Sequence, residues 1–120
     1  MPEKIAIVVD DEALVAELLG EYMETLGFQS RVFTDPAEAF EFMVSTEEDV
    51  PLLVTDYNML PINGAELSRE AKRLIPEIKT VCITGYIKNE ETVEISGFDG
   101  FLEKPFVLEQ IKGLIEKVLP

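Results

Sequence analysis

Residues 51–58 of the chain read PLLVTDYN, a short apolar run that ends on a carboxylate. Apolar residues from Leu52 to Val54, set between Pro51 and polar residues, are typical of a strand that is buried on both faces, as in a parallel sheet covered by helices. Asp56 therefore falls where this strand would reach the surface of the sheet.

Four other short apolar runs alternate with segments of helical periodicity. The five predicted strands are Ile5–Val9, Ser30–Phe33, Leu52–Thr55, Thr80–Ile83 and Gly100–Leu102. Strands that alternate with helices favour βα units, parallel pairing and right-handed crossovers. The sequence therefore predicts an α/β fold, a (βα)5 doubly wound parallel sheet with helices on both faces. The 120 residues are expected to form one domain, residues 1–120.

The helix signals between these strands differ in strength. In the first helix four large side chains share one face and Gly27 supplies a left-handed stop; they are Leu14, Leu18, Tyr22 and Leu26. The other helices are predicted from Pro36 after the N-cap Asp35, over Gly64–Leu74, over the weaker stretch Lys88–Ser96, and along the apolar stripe Leu108, Ile111, Ile115 and Val118.

The charge of the chain restricts its partners. It carries 24 acidic and 10 basic residues, a formal net charge of −14, which phosphate backbones and anionic membrane surfaces would repel. We therefore expect no nucleic acid partner and no membrane partner. The N-terminus lacks the apolar stretch of a signal peptide and no run is long enough to span a membrane, so a cytoplasmic location is expected.

Two residue types exclude several kinds of site. The chain has no histidine and a single cysteine, Cys82. It therefore cannot supply a Ser-His or Cys-His nucleophile pair, a His/Cys zinc site or an internal disulfide. Cys82 lies within an apolar run and is interpreted as a small core residue.

Polar residues stand at the ends of four predicted strands. Asp10 and Asp11 follow the first strand, Asp56 the third, Thr84 the fourth and Lys104 the fifth. Each of these residues, considered alone, is typical of a helix cap or a solvated surface charge. Because the carboxyl ends of parallel strands share one edge of the sheet, together they predict a functional site.

Converging carboxylates repel each other, and a hard divalent cation relieves that repulsion. Mg²⁺ takes one or two protein carboxylates together with phosphate oxygens, so an acidic pocket of this kind suits it. A phosphoryl group beside it could be stabilised by the Lys104 ammonium and the Thr84 hydroxyl. A carboxylate can act as the nucleophile and form an aspartyl phosphate.

Four motifs in order extend this interpretation: VVDDE, TDYNMLPINGAEL, ITG and GFLEKPF. With them the whole chain resembles the receiver domain of two-component response regulators. The resemblance implies a five-stranded parallel sheet in the order 2-1-3-4-5, the CheY-like form of the flavodoxin-like fold. It also implies a Mg²⁺-dependent phosphoacceptor with self-phosphorylation and dephosphorylation chemistry, rather than a turnover enzyme.

The resemblance assigns roles to single residues. Asp56 matches the phosphoacceptor. Asp11 matches a direct Mg²⁺ ligand with Asp10 beside it, and the backbone carbonyl of Asn58 matches a further ligand. The groups that bind the phosphoryl oxygens correspond to Thr84 and Lys104, and the switch aromatic corresponds to Phe101. The sequence context of Phe101 alone is equally consistent with an ordinary core residue.

The family also implies partners. The phosphoryl donor would be a phosphohistidine of a histidine kinase or a histidine phosphotransfer domain. Phosphorylation would switch the surface of the fourth helix, the fifth strand and the fifth helix, and could promote a dimer. The stretch TDYNMLPINGAEL and the KPF and VLP ending are similar to receivers fused to hybrid sensor histidine kinases. No DNA-binding segment follows, so a stand-alone receiver or a domain of a longer protein is expected.

One position departs from the family pattern. Receivers usually have Met and Pro adjacent in the loop after the acceptor, whereas here Leu60 separates Met59 from Pro61. The interval from Asp56 to Gly64 keeps its usual length. We therefore expect a local rearrangement of this loop, which affects the direction of the Asn58 carbonyl.

Two other functions use similar residues. A haloacid-dehalogenase-like phosphohydrolase also combines Asp, Thr, Lys and Mg²⁺, but it resembles a D-x-D arrangement, whereas Asp10 and Asp11 are adjacent. A flavodoxin-like binding module shares the topology, but its phosphate loop should offer hydroxyls, glycines and amides where this chain has DDE. Absence of flavin colour would exclude the second alternative.

Overall fold

The structure, a computed structural model, describes residues 4–85 and 97–120. Five parallel strands form one sheet in the order β2-β1-β3-β4-β5, which confirms the predicted architecture. The strands are β1 (Ile5–Val9), β2 (Gln29–Phe33), β3 (Leu52–Thr55), β4 (Lys79–Thr84) and β5 (Gly100–Glu103). The helices are α1 (Ala13–Thr25), α2 (Pro36–Ser45), α3 (Gly64–Leu74) and α4 (Leu108–Val118). The predicted helix Lys88–Ser96 lies outside the described residues.

Helices cover both faces of the sheet because the central strands are apolar throughout. Every residue of β1 is fully buried. Ala6 and Val8 contribute to a core with the buried faces of α1 and α4. The alternate residues of the strand, Ile5, Ile7 and Val9, contribute to a second core with α2 and α3. Buried on both faces, β1 and β3 form a rigid centre from which the site residues project.

The helix boundaries follow their capping signals. Asp35 caps α2, with its Oδ1 accepting a hydrogen bond from the Ala37 N–H at 2.9 Å. Asn63 and Glu66 form a capping box at the start of α3, with reciprocal bonds of 2.9 and 3.1 Å. Gly27 follows α1 with a φ of 99°, so the predicted left-handed stop is confirmed.

The buried face of α1 is not the predicted one. Leu14 is 81% exposed and Leu18 is 38% exposed. The buried residues of the helix are Ala16, Leu19, Gly20 and Met23. The helix approaches β2 so closely at Gly20 that a Cβ there would lie 2.7 Å from Val32 Cγ2. Ala16 and Gly20 permit this close approach, and Leu19 and Met23 fill the core. Only Tyr22 and Leu26 of the predicted face are partly buried against it, which leaves Leu14 toward solvent.

None of the helices within residues 4–85 and 97–120 is long and apolar enough to cross a membrane.

Candidate functional site

Three carboxylates meet at the carboxyl edge of the sheet. Asp10 and Asp11 follow β1, and Asp56 follows the neighbouring β3, whose register pairs Val9 with Thr55. One oxygen of each carboxylate lies within 4.8 Å of the others. Asp10 is fully buried, Asp56 is 7% exposed, and Asp11 faces solvent. The parallel pairing of two adjacent strands thus brings together residues that are 45 positions apart in sequence, from Asp11 to Asp56.

Both oxygens of the buried Asp10 carboxylate have partners. Oδ1 accepts a hydrogen bond from the Glu12 N–H at 2.9 Å. Oδ2 accepts one from Lys104 Nζ at 2.9 Å. The first bond fixes the side chain against the chain turn that leads into α1. Asp10 is therefore held rigidly between that turn and the ammonium of Lys104.

Asp56 is oriented mainly by its own backbone neighbours. Its N–H donates to the Val9 carbonyl at 2.9 Å, which continues the sheet pairing by one residue. Its Oδ1 accepts from the Tyr57 N–H at 2.7 Å. Burial raises the pKa of Asp56, and the nearby negative charge of Asp10 raises it further. Lys104 and the Tyr57 N–H oppose this rise without cancelling it. The acceptor-like carboxylate is thus destabilised as an anion in the metal-free site.

Lys104 is the cation that faces these acids. Its Nζ lies 2.9 Å from Asp10 Oδ2 and 3.5 Å from Asp56 Oδ2, and its side chain is 17% exposed. Its backbone N–H donates to the Thr84 carbonyl at 2.7 Å, so β4 holds the residue in place. Burial lowers the pKa of Lys104, but the hydrogen bond and charge of Asp10 outweigh that effect and the pKa is raised overall. The side chain is therefore an ammonium ion at neutral pH.

The charges of the site do not balance. Two unit charges 4.8 Å apart repel by about 3.5 kcal/mol at an effective dielectric constant near 20. The buried pair Asp10 and Asp56 repels by at least this amount, and the exposed Asp11 adds a repulsion that solvent weakens. The attraction between Lys104 and Asp56 at 3.5 Å is about 5 kcal/mol on the same scale. One ammonium therefore leaves an excess of negative charge, which a divalent cation would offset.

Of the remaining predicted residues, Thr84 and Asn58 lie at the same edge, and Phe101 lies further back along β5. Thr84 ends β4 and is 2% exposed. Asn58 is exposed on the loop after Asp56. Phe101 is half-buried on β5, where it pairs with Cys82 of β4. Cys82 itself is buried and unpaired with any other cysteine, and burial raises its pKa to about 12, so it behaves as the predicted core residue.

The loop between β3 and α3 accommodates Leu60 by turning its side chain outward. Met59 is 5% exposed and packs in the core beneath α2 and α3. Leu60 is 86% exposed, and the Leu60–Pro61 peptide is cis. The Gly64 N–H donates to the Tyr57 carbonyl at 2.8 Å and closes the loop. A Cβ at Gly64 would clash with the Asp56 carbonyl oxygen, so this closure requires glycine.

Two features of the site were not predicted. The first is the hydrogen bond from the Tyr57 N–H to Asp56: the donor is a backbone group, so no residue type in the sequence predicts it. The Asn63 capping box starts α3 directly behind the loop, and its sequence signal, Asn63 followed three residues later by Glu66, was available. It fixes the end of the loop that begins at the acceptor-like carboxylate.

The chain is similar to several known proteins. CpdR, a response regulator receiver protein of Brucella abortus, is 30% identical over 118 residues, which are 97% of this chain and 97% of CpdR. The sensor kinase CckA of the same organism is 27% identical over 115 residues, which are 94% of this chain and 12% of CckA. The response regulator TrrA of Thermotoga maritima, solved in complex with Mg²⁺-BeF, matches with a TM-score of 0.82 and 26% identity, covering 97% of this chain and 99% of TrrA.

Some matched relatives are much longer than this chain. It spans about half, 51%, of the length of a transcriptional regulatory protein of Bacteroides fragilis. These comparisons give no support to the haloacid-dehalogenase-like or flavodoxin-like alternatives. Residues 6–116 match the response regulator receiver domain. The chain therefore belongs to the receiver domain family of two-component response regulators.

Proposed function

We propose that Asp56 accepts a phosphoryl group from a phosphohistidine, in a reaction that depends on Mg²⁺. The observation that carries this proposal is the meeting of three carboxylates within 4.8 Å, with one ammonium bridging two of them. A carboxylate oxygen of Asp56 forms a bond to phosphorus while the bond from phosphorus to the histidine nitrogen breaks. The leaving imidazole keeps the electron pair and takes up a proton.

The donor set fits Mg²⁺. This cation prefers oxygen ligands and usually takes one or two carboxylates, leaving positions for water and phosphate oxygens. Asp10, Asp11 and Asp56 would hold it, and the backbone carbonyl of Asn58 is a further proposed ligand. When bound, Mg²⁺ supplies positive charge that offsets both the carboxylates and the phosphoryl oxygens. The excess of negative charge among the side chains supports this assignment.

The side chains of the protein position the acceptor and stabilise the transferred group. The Tyr57 N–H holds Oδ1 of Asp56, which restricts rotation of the carboxylate. Lys104 carries its proton at neutral pH and already lies 3.5 Å from the acceptor, so it can bind a phosphoryl oxygen with little movement. We assign to the hydroxyl of Thr84 the role of second hydrogen-bond donor to the phosphoryl group. Thr84 is the last residue of β4, and its backbone carbonyl accepts the hydrogen bond from Lys104.

The response to phosphorylation is proposed to pass from Thr84 to Phe101. Phe101 lies on β5 next to β4, two register positions before the pair formed by Thr84 and Glu103. A shift of Thr84 toward the phosphoryl group would change the space beside this half-buried ring. Phosphorylation can shift the surface of β5 and α4 only by binding one arrangement more tightly than the other.

Residues 1–120 are proposed to act as one receiver domain whose partner is a histidine kinase or a phosphotransfer domain. The match to the sensor kinase CckA supports a hybrid kinase as one parent architecture, and the match to CpdR supports a stand-alone receiver. A cytoplasmic location and a phosphorylation-dependent dimer belong to the same proposal.

Labelling with a small phosphodonor tests the proposal. Incubated with Mg²⁺ and acetyl phosphate, the protein should gain one acid-stable, base-labile phosphoryl group. Chelation by EDTA or the substitution Asp56→Asn should abolish the gain. Asp49→Asn removes the same charge from an exposed position before the amino end of β3 and should label normally. Equal labelling of Asp56→Asn and the wild type would refute the assignment.

A further inference from the structure

A cleft opens beside the proposed acceptor on its α3 side. Its volume is about 440 Å³. The lining residues are Asp11, Tyr57, Asn58, Met59, Leu60 and Asn63. One wall thus carries an exposed carboxylate of the site, and another carries the exposed Leu60 of the loop. The cleft joins the mouth of the acidic site to an apolar side chain.

Leu60 occupies an unusual position for a large apolar side chain. Its neighbour Met59 is buried to 5% exposure, whereas Leu60 is 86% exposed. Met59 therefore fills the core beneath the loop, and Leu60 faces solvent. A single exposed leucine needs no explanation by itself. Its position on the wall of the cleft next to the acceptor is what distinguishes it.

Other exposed apolar side chains surround the same site. In the part of the chain that the structure describes, six large hydrophobic residues are exposed. Three of them lie within four positions of a site residue: Leu14 follows Asp11, Leu60 follows Asp56, and Val107 follows Lys104; their exposures are 81%, 86% and 58%. All three therefore lie at the carboxyl edge of the sheet. Half of the exposed large apolar side chains in the described residues therefore lie at the same edge of the sheet as the site.

A protein phosphodonor has to cover this rim. Asp56 is only 7% exposed, so a donor side chain must reach into the site while the surface that bears it rests on the surrounding residues. An apolar rim excludes water from that contact and contributes affinity. The exposed carboxylates of Asp11 and Glu12 favour basic side chains on the partner. Bound Mg²⁺ would offset part of the Asp11 charge but would leave the charge of Glu12 available to the partner.

We infer that the loop of residues 57–63, with Leu60 at its tip, is a recognition element for the protein phosphodonor. The partner has an exposed apolar side chain that packs on Leu60, flanked by a Lys or Arg that faces the acidic rim. This inference rests on the proposed function and adds to it the surface that selects the donor. It assigns to Leu60, which separates Met59 from Pro61, a role in partner choice rather than in the phosphoryl chemistry.

The test compares a protein donor with a small one. The histidine kinases and phosphotransfer proteins of the source organism are autophosphorylated or loaded one at a time, and the fastest donor to the wild-type chain is selected. Leu60→Ser should slow transfer from that donor by about tenfold, the effect of losing one buried apolar contact. Leu60→Met, which keeps an apolar side chain, should retain most of the rate. Labelling by acetyl phosphate, which is too small to cover the rim, should differ less than twofold between these variants.

A matched control is available at Val44. This residue is 56% exposed near the end of α2, away from the carboxyl edge of the sheet, and Val44→Ser should match the wild type with both donors. In addition, Glu12→Gln should reduce the salt dependence of transfer from the protein donor.

Several results would overturn the inference. Transfer to Leu60→Ser at the wild-type rate would exclude a contact at Leu60. Equal slowing with acetyl phosphate and with the protein donor would place Leu60 in the chemistry instead of in recognition. If no protein donor labels a wild-type chain that acetyl phosphate does label, a protein phosphodonor as the partner of this surface would be excluded. Failure of acetyl phosphate itself would instead contradict the proposed function.

Discussion

Removing the charge of Asp56 should stabilise the metal-free protein. In Asp56→Asn, the burial cost of the carboxylate is removed, together with the repulsion from the buried Asp10, at least about 3.5 kcal/mol. The attraction to Lys104, about 5 kcal/mol at 3.5 Å, is lost as well. Lys104 keeps its partner Asp10 at 2.9 Å. Because the pKa of Asp56 is raised, burial and repulsion together outweigh the attraction, so the balance favours the variant, by about 2 kcal/mol, a typical cost of burying a polar group.

The pH dependence of this effect has a definite sign. Because the folded pKa of Asp56 lies above its ordinary value of 3.8, the folded protein binds this proton more tightly than the unfolded chain does. The wild type therefore loses stability as the pH rises from 3.8 through the folded pKa, and the penalty is complete above the folded pKa. Asp56→Asn lacks this penalty, so the difference between the two proteins should grow over the same range.

Thermal unfolding in EDTA measures the difference. For a chain of this length about 2 kcal/mol corresponds to a rise in Tm of roughly 5–10 °C. Mg²⁺ should close the gap, since a cation at about a hundred times its Kd stabilises the wild type by about 2.7 kcal/mol and binds the variant less well. Asp49→Asn, with the same change in net charge at an exposed site, should shift Tm by much less. A lower Tm for Asp56→Asn than for wild type in EDTA would refute the electrostatic reasoning.

Three further predictions concern other parts of the fold. Burial raises the pKa of Asp99, but hydrogen bonds from Lys72 and the Thr80 N–H outweigh it, so the folded pKa lies below 3.8. Asp99→Asn should cost about 1 kcal/mol at neutral pH in urea unfolding, a cost that is lost as the pH falls through that lower pKa; a cost independent of pH would contradict this. Gly64→Ala should lower the free energy of unfolding by about 1–3 kcal/mol because its Cβ meets the Asp56 carbonyl, whereas Gly113→Ala, in open space on α4, should raise it by about 0.5–1 kcal/mol. Cys82 should react with a thiol reagent only as fast as the chain unfolds, since burial raises its pKa to about 12; rapid modification of the native protein would show that the thiol is accessible.

The strands and their ends were predictable because their signals are local. Each apolar run is bounded by polar residues, and the observed strands differ from the predicted ones by at most one residue at either end. Parallel pairing then places Asp10, Asp56, Thr84 and Lys104 at one edge without any knowledge of their contacts. The family motifs define the same positions, which is why the composition of the site could be inferred.

The face of α1 could not be predicted because the helix carries two apolar stripes. Leu14 and Leu18 form one, and Leu19 and Met23 belong to the other, with the partly buried Tyr22 and Leu26 between them. Periodicity cannot tell which stripe meets the sheet. The close approach at Gly20 decides it, and that approach is a property of the packed structure. The same packing exposes Leu14 at the rim of the site.

The distances and side-chain orientations within the site could not be predicted from the sequence either. Lys104 lies closer to Asp10 than to Asp56, at 2.9 against 3.5 Å, which depends on where the backbone of β5 ends. The outward turn of Leu60 depends on whether Met59 or Leu60 fills the core beneath the loop, and both side chains are apolar and of similar size. Such choices between chemically similar neighbours are made by three-dimensional fit.

The position of the phosphoryl group tests the central claim most directly, because three carboxylates lie close enough to compete for it. The protein is phosphorylated with acetyl phosphate and Mg²⁺, reduced with borohydride, which converts an aspartyl phosphate to homoserine, and mapped by peptide mass spectrometry. The account predicts homoserine at position 56 and none at Asp10 or Asp11. Homoserine at either of those positions, or in the Asp56→Asn protein, would contradict it.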